Sequence, residues 1–223
     1  MSTYLFINIV IIFIPLILSF EKNIRYYKKL PHLLFSIIIV STAFIIWDVF
    51  ATKRGDWSFN PAHLVGVYFF GLPLEEILFF ITVPYSCIFI YETIRFYTKE
   101  KYFKINNYIF LLIALLFLML GIFFNHQHYT FTVSLFAGIF FLLAFYFKTG
   151  LLSSSFYWWT VLISFIPFLI VNFFLTSIPI VTYNNSAFFG KRFLTIPYED
   201  FLYSFSMISL WILFYEIIQK RKR

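Results

Sequence analysis

The chain has 223 residues and a formal net charge of +7, with 61% apolar and 12% charged residues. Soluble domains usually contain about 45–50% apolar and about 25% charged residues, so the composition predicts an integral membrane protein with no room for a soluble catalytic domain. The basic residues lie at the ends of apolar segments and not along one face, which argues against a nucleic-acid partner. The single cysteine excludes an intrachain disulfide.

Seven apolar segments are long enough to cross a bilayer, because a spanning helix needs about 20 mostly apolar residues. In chain order they are residues 4–20, 33–50, 64–91, 108–124, 131–147, 156–176 and 198–218. The first has no basic n-region and no small-residue cleavage site, so we expect a retained helix and not a signal peptide. The expected fold class is an all-α integral membrane protein with about seven transmembrane helices.

The third segment contains Pro73, which lacks a backbone N–H group and disfavours helix at the preceding residue. This helix is therefore expected to bend or restart at Pro73.

The positions of the basic residues predict the orientation of these helices. Most of the 17 Lys and Arg residues lie after the first, third, fifth and seventh segments. Because short cytoplasmic loops carry an excess of Lys and Arg, the N-terminus is predicted to lie outside and the C-terminus in the cytoplasm. We expect a multi-pass protein of a bacterial inner membrane.

One acidic motif occurs twice in this apolar sequence. Residues 73–76 read Pro-Leu-Glu-Glu, and residues 197–200, which lie 124 positions later, read Pro-Tyr-Glu-Asp. The same offset pairs Asp48 with Asn172, and no gap is needed between residues 48 and 92. The repetition indicates a duplicated unit of three helices.

The offset also predicts how the chain is divided. The fifth, sixth and seventh segments fall on the first, second and third, and the fourth has no counterpart. We therefore expect a parallel tandem repeat, with one three-span unit in residues 1–102, a connector helix in residues 103–128 and a second three-span unit in residues 129–223. Substrate sites in duplicated membrane folds tend to lie between the repeats.

The four acids of the two motifs are the candidate catalytic residues: Glu75, Glu76, Glu199 and Asp200. Acidic side chains are costly at membrane depth and are retained there mainly for function. The alternative is that they are helix caps at the outer surface, since Pro followed by acids is typical of a first helical turn. Capping alone would accept Ser, Thr or Asn equally well, so the repetition favours a functional role.

Other acidic residues have simpler explanations. Glu92 and Glu216 also lie 124 positions apart, each close to basic residues at the cytoplasmic end of its segment, where surface ion pairs are the usual arrangement. Asp48 and its counterpart Asn172 lie near the outer end of their segments. They either form hydrogen bonds to the carboxyl groups across the helices or occupy ordinary interfacial positions.

The motifs resemble the Pro-x-Glu-Glu/Asp signature of the integral-membrane lycopene cyclases, in tandem-fused form. The resemblance is carried by residues 71–80, Gly-Leu-Pro-Leu-Glu-Glu-Ile-Leu-Phe-Phe, and residues 196–201, Ile-Pro-Tyr-Glu-Asp-Phe. It covers the whole chain as a fused tandem form, and the duplication of the signature at a constant spacing makes the resemblance strong. One departure is Asn172, which stands where the first repeat has Asp48, so the two halves need not be equivalent.

The resemblance implies a non-redox, proton-initiated cyclisation of the linear end groups of lycopene. The products are gamma- and beta-carotene. A carboxyl group that burial keeps protonated is a suitable general acid, and a second carboxyl nearby helps because both cannot easily ionise. In this interpretation Glu75 and Glu199 donate the proton, while Glu76 and Asp200 tune them or accept it. The implied partners are a carotenoid within the bilayer, membrane lipids and other carotenoid-pathway enzymes.

Four residues are the candidate substrate-binding residues: Asp48, Asn172, Phe79 and Tyr203. Aromatic faces stabilise a carbocation without capturing it, which suits this reaction. Phe80, Tyr85 and Trp211 also follow the motifs at helical spacing. The alternative for each ring is lipid-facing packing or an interfacial belt.

Several other functions have little support in the sequence. There is no Gly-x-Gly-x-x-Gly and no P-loop, so no FAD, NAD or ATP cofactor is predicted. His126 and His128 have no third ligand nearby, so no metal is predicted. A small transporter with parallel 3+1+3 repeats is the alternative function, and an assembly or regulatory membrane protein is a third. The apolar sequence after each motif favours the cyclase over a sugar transporter.

Overall fold

The computed structural model describes residues 2–221, which are mostly helical. The helices are α1 (Thr3–Leu18), α2 (Leu30–Arg54), α3 (Leu74–Tyr97), α4 (Tyr108–Phe123), α5 (His128–Phe147), α6 (Ser155–Ser177) and α7 (Tyr198–Arg221). Five of them, α2, α3, α5, α6 and α7, are long and apolar enough to cross a membrane. The other two, α1 and α4, are apolar but have only 16 residues each. The predicted all-α membrane fold is confirmed.

Six short strands lie between the helices and were not predicted. They are β1 (Trp57–Phe59), β2 (Tyr68–Phe69), β3 (Leu72–Pro73), β4 (Val181–Tyr183), β5 (Arg192–Phe193) and β6 (Ile196–Pro197). Four of them form two tight hairpins, β2 with β3 and β5 with β6, directly before α3 and α7. The hairpins therefore set the point at which each motif-bearing helix begins.

The third predicted segment, residues 64–91, is not a single helix. Its first part is irregular and leads into the β2–β3 hairpin. Gly66, just before the hairpin, and Gly71, in its turn, have φ of +89° and +95°. These left-handed conformations suit glycine and cannot continue a helix. The helix starts after Pro73 and runs beyond the predicted end, to Tyr97. The expectation that the helix restarts at Pro73 is therefore confirmed, and the span from residue 64 is wrong.

The helices pack with an internal pseudo-two-fold arrangement. In the first half α1 packs on α3, and in the second half α5 packs on α7. The two halves meet through the equivalent pairs α2 with α7 and α6 with α3, while α4 lies against α5. Strands β1 and β4 pair antiparallel with Ser58 opposite Thr182, two positions that are 124 apart. A residue facing its own equivalent marks the pseudo-two-fold axis.

Candidate active site

A narrow cavity lies between the two halves, at the end of the bundle where α3 and α7 begin. Its volume is about 60 Å³. Six of the helices and the strands β1 and β4 contribute to its wall. The lining residues are Tyr4, Trp47, Asp48, Trp57, Phe59, Glu76, Phe79, Tyr129, Asn172, Leu175, Val181, Tyr183, Asp200 and Tyr203. All four candidate substrate-binding residues are in this set, together with one acid from each motif.

The first half contributes two carboxyl groups to the cavity, those of Asp48 on α2 and Glu76 on α3. Asp48 Oδ1 accepts hydrogen bonds from Trp57 Nε1 at 2.8 Å and from the Thr52 hydroxyl at 3.3 Å. Glu76 Oε2 accepts a hydrogen bond from the Tyr4 hydroxyl at 2.6 Å. Both carboxyl groups line the same small cavity. Two carboxyl groups confined together cannot easily ionise at the same time, which favours keeping one proton at the site.

The second half contributes a single carboxyl group, that of Asp200 on α7. Its two oxygens accept hydrogen bonds from different phenols, Oδ1 from Tyr129 and Oδ2 from Tyr183 at 3.0 Å. Burial, and then the Asp200 carboxyl beside it, raises the pKa of the Tyr183 hydroxyl well above its usual range. Tyr183 therefore stays a neutral donor to Asp200.

The first acid of each motif does not line the cavity. Glu75 Oε1 accepts hydrogen bonds from the Val65 backbone N–H at 2.6 Å and the Ser2 hydroxyl at 2.7 Å. Glu199 Oε1 accepts equivalent bonds from the Phe189 N–H at 2.7 Å and the Thr130 hydroxyl at 2.6 Å. Each Glu thus fastens the loop ahead of its own helix to the start of α1 or α5. Both Oε2 atoms are buried and have no partner among the described residues.

Aromatic side chains form much of the cavity wall. The Trp47 ring lies 5.2 Å from that of Trp57, 5.5 Å from Tyr203 and 6.0 Å from Tyr129, measured between centroids. Tyr129 also stacks on Tyr183 at 5.8 Å. Apart from the hydrogen-bonding groups described above, the cavity is therefore surrounded by ring faces and edges.

The sequence analysis did not identify several of these residues. Tyr4 and Tyr129 are each the second residue of their helix and bond the cavity acids in the same way, but they lie 125 positions apart. A one-residue gap in the repeat alignment would have paired them. Trp57 and Tyr183 are brought together by the β1–β4 pairing, in which they face each other. No sequence offset reveals that pairing.

Three other aromatic candidates lie outside the cavity. Phe80 is fully buried in the main hydrophobic core. The Tyr85 hydroxyl bonds to Ser19, and Trp211 Nε1 donates to the Ser41 hydroxyl at 3.1 Å. These rings hold the helices together in the interior of the bundle and do not face the acids.

Glu92 and Glu216 form ion pairs as expected, but the arrangement is more buried than a surface pair. Glu92 is 2% exposed, contacts Lys29 and Arg95, and accepts a hydrogen bond from the Tyr215 hydroxyl at 2.8 Å. Glu216 accepts one from the Tyr91 hydroxyl at 3.1 Å and also pairs with Arg95. Each Tyr-Glu dipeptide therefore bonds its equivalent in the other half.

An open depression of about 410 Å³ adjoins the cavity at the hairpin end of the bundle. Trp57, Phe59 and Tyr183 line both spaces, so they form the boundary between the buried acids and the outside. Within the described residues, no group of three or more His, Cys, Asp or Glu side chains is placed to hold a metal ion.

Comparison with known proteins gives a family assignment. The family model described as "Lycopene cyclase" matches residues 1–94 and 126–218. A curated relative, the bifunctional lycopene cyclase/phytoene synthase of Neurospora crassa, is 33% identical over 57 residues. That match covers 26% of this chain and 10% of the relative, so the chain corresponds to a small part of that protein. No solved structure matches the chain.

Proposed function

The chain belongs to the lycopene cyclase family, and on that premise we propose that it cyclises the linear end groups of lycopene inside the membrane, forming gamma- and then beta-carotene. The observation that carries the proposal is the cavity: three carboxyl groups, two from one half and one from the other, face the same aromatic-walled space. The reaction needs a proton donor, a proton acceptor and walls that tolerate a carbocation.

The chemistry requires only proton transfers. A carboxylic acid protonates the outer double bond of the end group, the ring closes on the resulting cation, and a proton leaves a neighbouring carbon. The product is an isomer of the substrate with no change in oxidation state. Positioned acid and base groups typically accelerate such steps by about 10²–10⁴-fold.

We assign the proton transfers to the acids that line the cavity, Glu76, Asp48 and Asp200. The position of Asp48 and Glu76 in one small cavity supports this assignment, since two carboxyl groups confined together do not readily ionise at the same time. Glu75 and Glu199, which the motif alone favours as donors, instead accept hydrogen bonds from the loops before α3 and α7. We propose that they fix where α3 and α7 begin and how each helix is rotated about its axis, so that the neighbouring acid faces the cavity.

The aromatic wall suits the charge that develops during ring closure. Faces of Trp47, Trp57 and Tyr203 surround the same space as the carboxyl groups. Ring faces attract cations within about 6 Å of their centroids, and they carry no lone pair that would capture a carbocation. Apolar ring faces also limit the access of water to the cation, which water would convert to an alcohol.

Substrate binding must widen this cavity. Its volume of about 60 Å³ is well below the roughly 300–1,000 Å³ that is typical of small-molecule sites. We therefore expect the partly exposed lining side chains, among them Phe79 and Asn172, to move when an end group enters.

The proposal is tested by pigment analysis of lycopene-accumulating cells that express this chain. We expect ring-bearing carotenoids with the parent and a loss of about 100-fold or more with Glu76→Gln, because the amide cannot donate a carboxyl proton. Glu100→Gln, a matched change at an exposed acid far from the cavity, should behave as the parent. Unchanged lycopene with a well-folded parent would reject the cyclase proposal.

A further inference from the structure

The two halves contribute different chemical groups to the shared cavity. At the pseudo-equivalent positions 48 and 172 the first half has Asp and the second has Asn. The first half therefore presents a carboxyl pair, whereas Asp200 of the second half has only phenol partners. This difference suggests that the halves do not perform the same step.

We propose that the two halves divide one cyclisation at a single site, with the Asp48–Glu76 pair delivering the proton and Asp200 removing it. This inference rests on the proposed cyclase function and adds to it the direction of proton flow.

The donor assignment follows from the contacts of the pair. Asp48 and Glu76 line the same small cavity, and two carboxyl groups confined together favour keeping one proton between them. When that proton leaves, the Trp57 indole N–H stabilises the negative charge on Asp48, and the Tyr4 hydroxyl stabilises the charge on Glu76. The pair can therefore both store a proton and release it.

The acceptor assignment follows from the contacts of Asp200. Tyr129 and Tyr183 donate to different oxygens of Asp200, so both oxygens already act as hydrogen-bond acceptors. No cavity-lining carboxyl of the second half shares a proton with it, because position 172 is Asn. A carboxylate is a weak base, but the proton beside a carbocation is strongly acidic, so a weak base is sufficient.

The proposed step balances in atoms and electrons. Glu76 gives its proton to the inner CH carbon of the terminal double bond, whose π electrons form the new C–H bond and leave a tertiary cation on the outer carbon that carries the two methyl groups. The next double bond of the end group closes the ring on that cation and moves the charge to a ring carbon. Asp200 takes a proton from the neighbouring ring carbon, and the C–H electrons become the ring double bond.

Each turnover therefore moves one proton from the pair to Asp200. The site resets by exchange with water in the open depression, whose wall includes Tyr183, the partner of Asp200, and Trp57, the partner of Asp48. Because one cavity holds both donor and acceptor, only one end group reacts at a time. A lycopene molecule must leave and return reversed for its second end to cyclise.

The test uses membranes that contain the full chain, lycopene as substrate and buffer made with D₂O. The variants are Glu76→Gln, Asp48→Asn and Asp200→Asn, with Glu100→Gln as the matched control for an acid-to-amide change. Lycopene consumption, ring position of the double bond and deuterium content are measured by chromatography and mass spectrometry. Elution as a single sharp peak in detergent establishes that each variant is folded.

We expect Glu76→Gln to lower both lycopene consumption and deuterium uptake by about 100-fold or more, and Asp48→Asn to lower both by at least about tenfold. Asp200→Asn should still consume lycopene and take up deuterium. Its products should carry the ring double bond at another position or a hydroxyl group from water, with beta rings reduced by about 100-fold or more.

Two results would overturn the division of roles. One is a folded Asp200→Asn variant that leaves lycopene as unreacted as Glu76→Gln does. The other is a Glu76→Gln variant that still consumes lycopene and takes up deuterium. Both are distinct from a failure of the proposed function, in which the parent itself forms no rings.

Discussion

Consecutive acids in each motif have different surroundings because successive residues of a helix point about 100° apart. Glu75 is turned toward the loop ahead of α3 and the start of α1, whereas Glu76 is turned into the cavity. Glu199 and Asp200 repeat this division in the second half. Both acids of a motif therefore have a specific role, but the two roles differ.

Substitutions at Glu75 should show whether it acts by holding the loop ahead of α3 through hydrogen bonds or by transferring a proton. Glu75→Gln keeps an Oε1 that accepts the bonds from Val65 and Ser2, so ring formation should stay within a few-fold of the parent. Glu75→Ala leaves both donors without their partner and should lower stability by about 1–3 kcal/mol. Pigment analysis and melting temperatures in detergent measure the two effects.

Glu199→Gln and Glu199→Ala are the matched pair in the second half and should show the same contrast. A Glu75→Gln variant that melts like the parent but forms no rings would show that Glu75 is the proton donor, which is the assignment that the motif alone favours.

At the scale of elements, the short strands place the acids. The β2–β3 and β5–β6 hairpins end at the prolines that precede α3 and α7, so each helix starts two residues before its cavity acid. The β1–β4 pair lies across the pseudo-two-fold axis and brings Trp57 and Tyr183 to the two sides of the cavity. The cavity thus depends on backbone pairing between the halves as well as on helix packing.

The opposite ends of α3 and α7 are joined by a reciprocal contact. The Tyr91 hydroxyl donates to Glu216 and the Tyr215 hydroxyl donates to Glu92, with Arg95 contacting both carboxylates. Glu76 and Glu92 are 16 residues apart on α3, which corresponds to about 24 Å along a helix. This cluster therefore stabilises the contact between the halves far from the cavity.

Glu92→Gln should weaken that contact without affecting the chemistry. The loss should be below the roughly 3–5 kcal/mol that is typical of breaking a buried ion pair, because Lys29 and Arg95 are partly exposed and solvent screens their charge. We expect a lower melting temperature in detergent, a smaller decrease for Glu216→Gln and ring formation like that of the parent. A stable Glu92→Gln variant that forms no rings would connect this cluster to catalysis.

At the scale of the whole molecule, the cavity and most of the basic residues lie at opposite ends of the bundle. The cavity is at the start of α3 and α7, and Lys and Arg are concentrated after α1, after α3 and at the end of α7. Because cytoplasmic loops prefer Lys and Arg, this distribution predicts that the acids lie on the outer side of the membrane. We propose that the end groups of the substrate are cyclised near that surface.

Labelling of single cysteines tests the orientation. In a Cys87→Ser background, Asn185→Cys lies at the hairpin end and Lys99→Cys at the opposite end, and both positions are exposed. A membrane-impermeant maleimide added to intact cells should label only Asn185→Cys, and Lys99→Cys should label only after the membrane is opened. The reverse pattern would place the acids on the cytoplasmic side.

Much of the architecture could be predicted from the sequence. Apolar length and composition indicated the helices, Pro73 indicated the restart of α3, and the 124-residue offset paired Glu76 with Asp200 and Asp48 with Asn172. The hairpins could not be predicted, because residues 64–73 are apolar and read as a continuation of the helix. Tyr4 and Tyr129 were missed because their spacing departs from the offset by one residue.

The sequence by itself identified the acids of the two motifs as the candidates, since charges retained twice in apolar helices stand out without any coordinates. Only the tertiary structure decided which acid of each motif faces the cavity. Glu75 and Glu76 are neighbours with the same side chain, and their directions depend on how α3 is rotated against α1, α2 and α6. That rotation is fixed by packing between segments distant in the chain, which neighbouring residues do not encode.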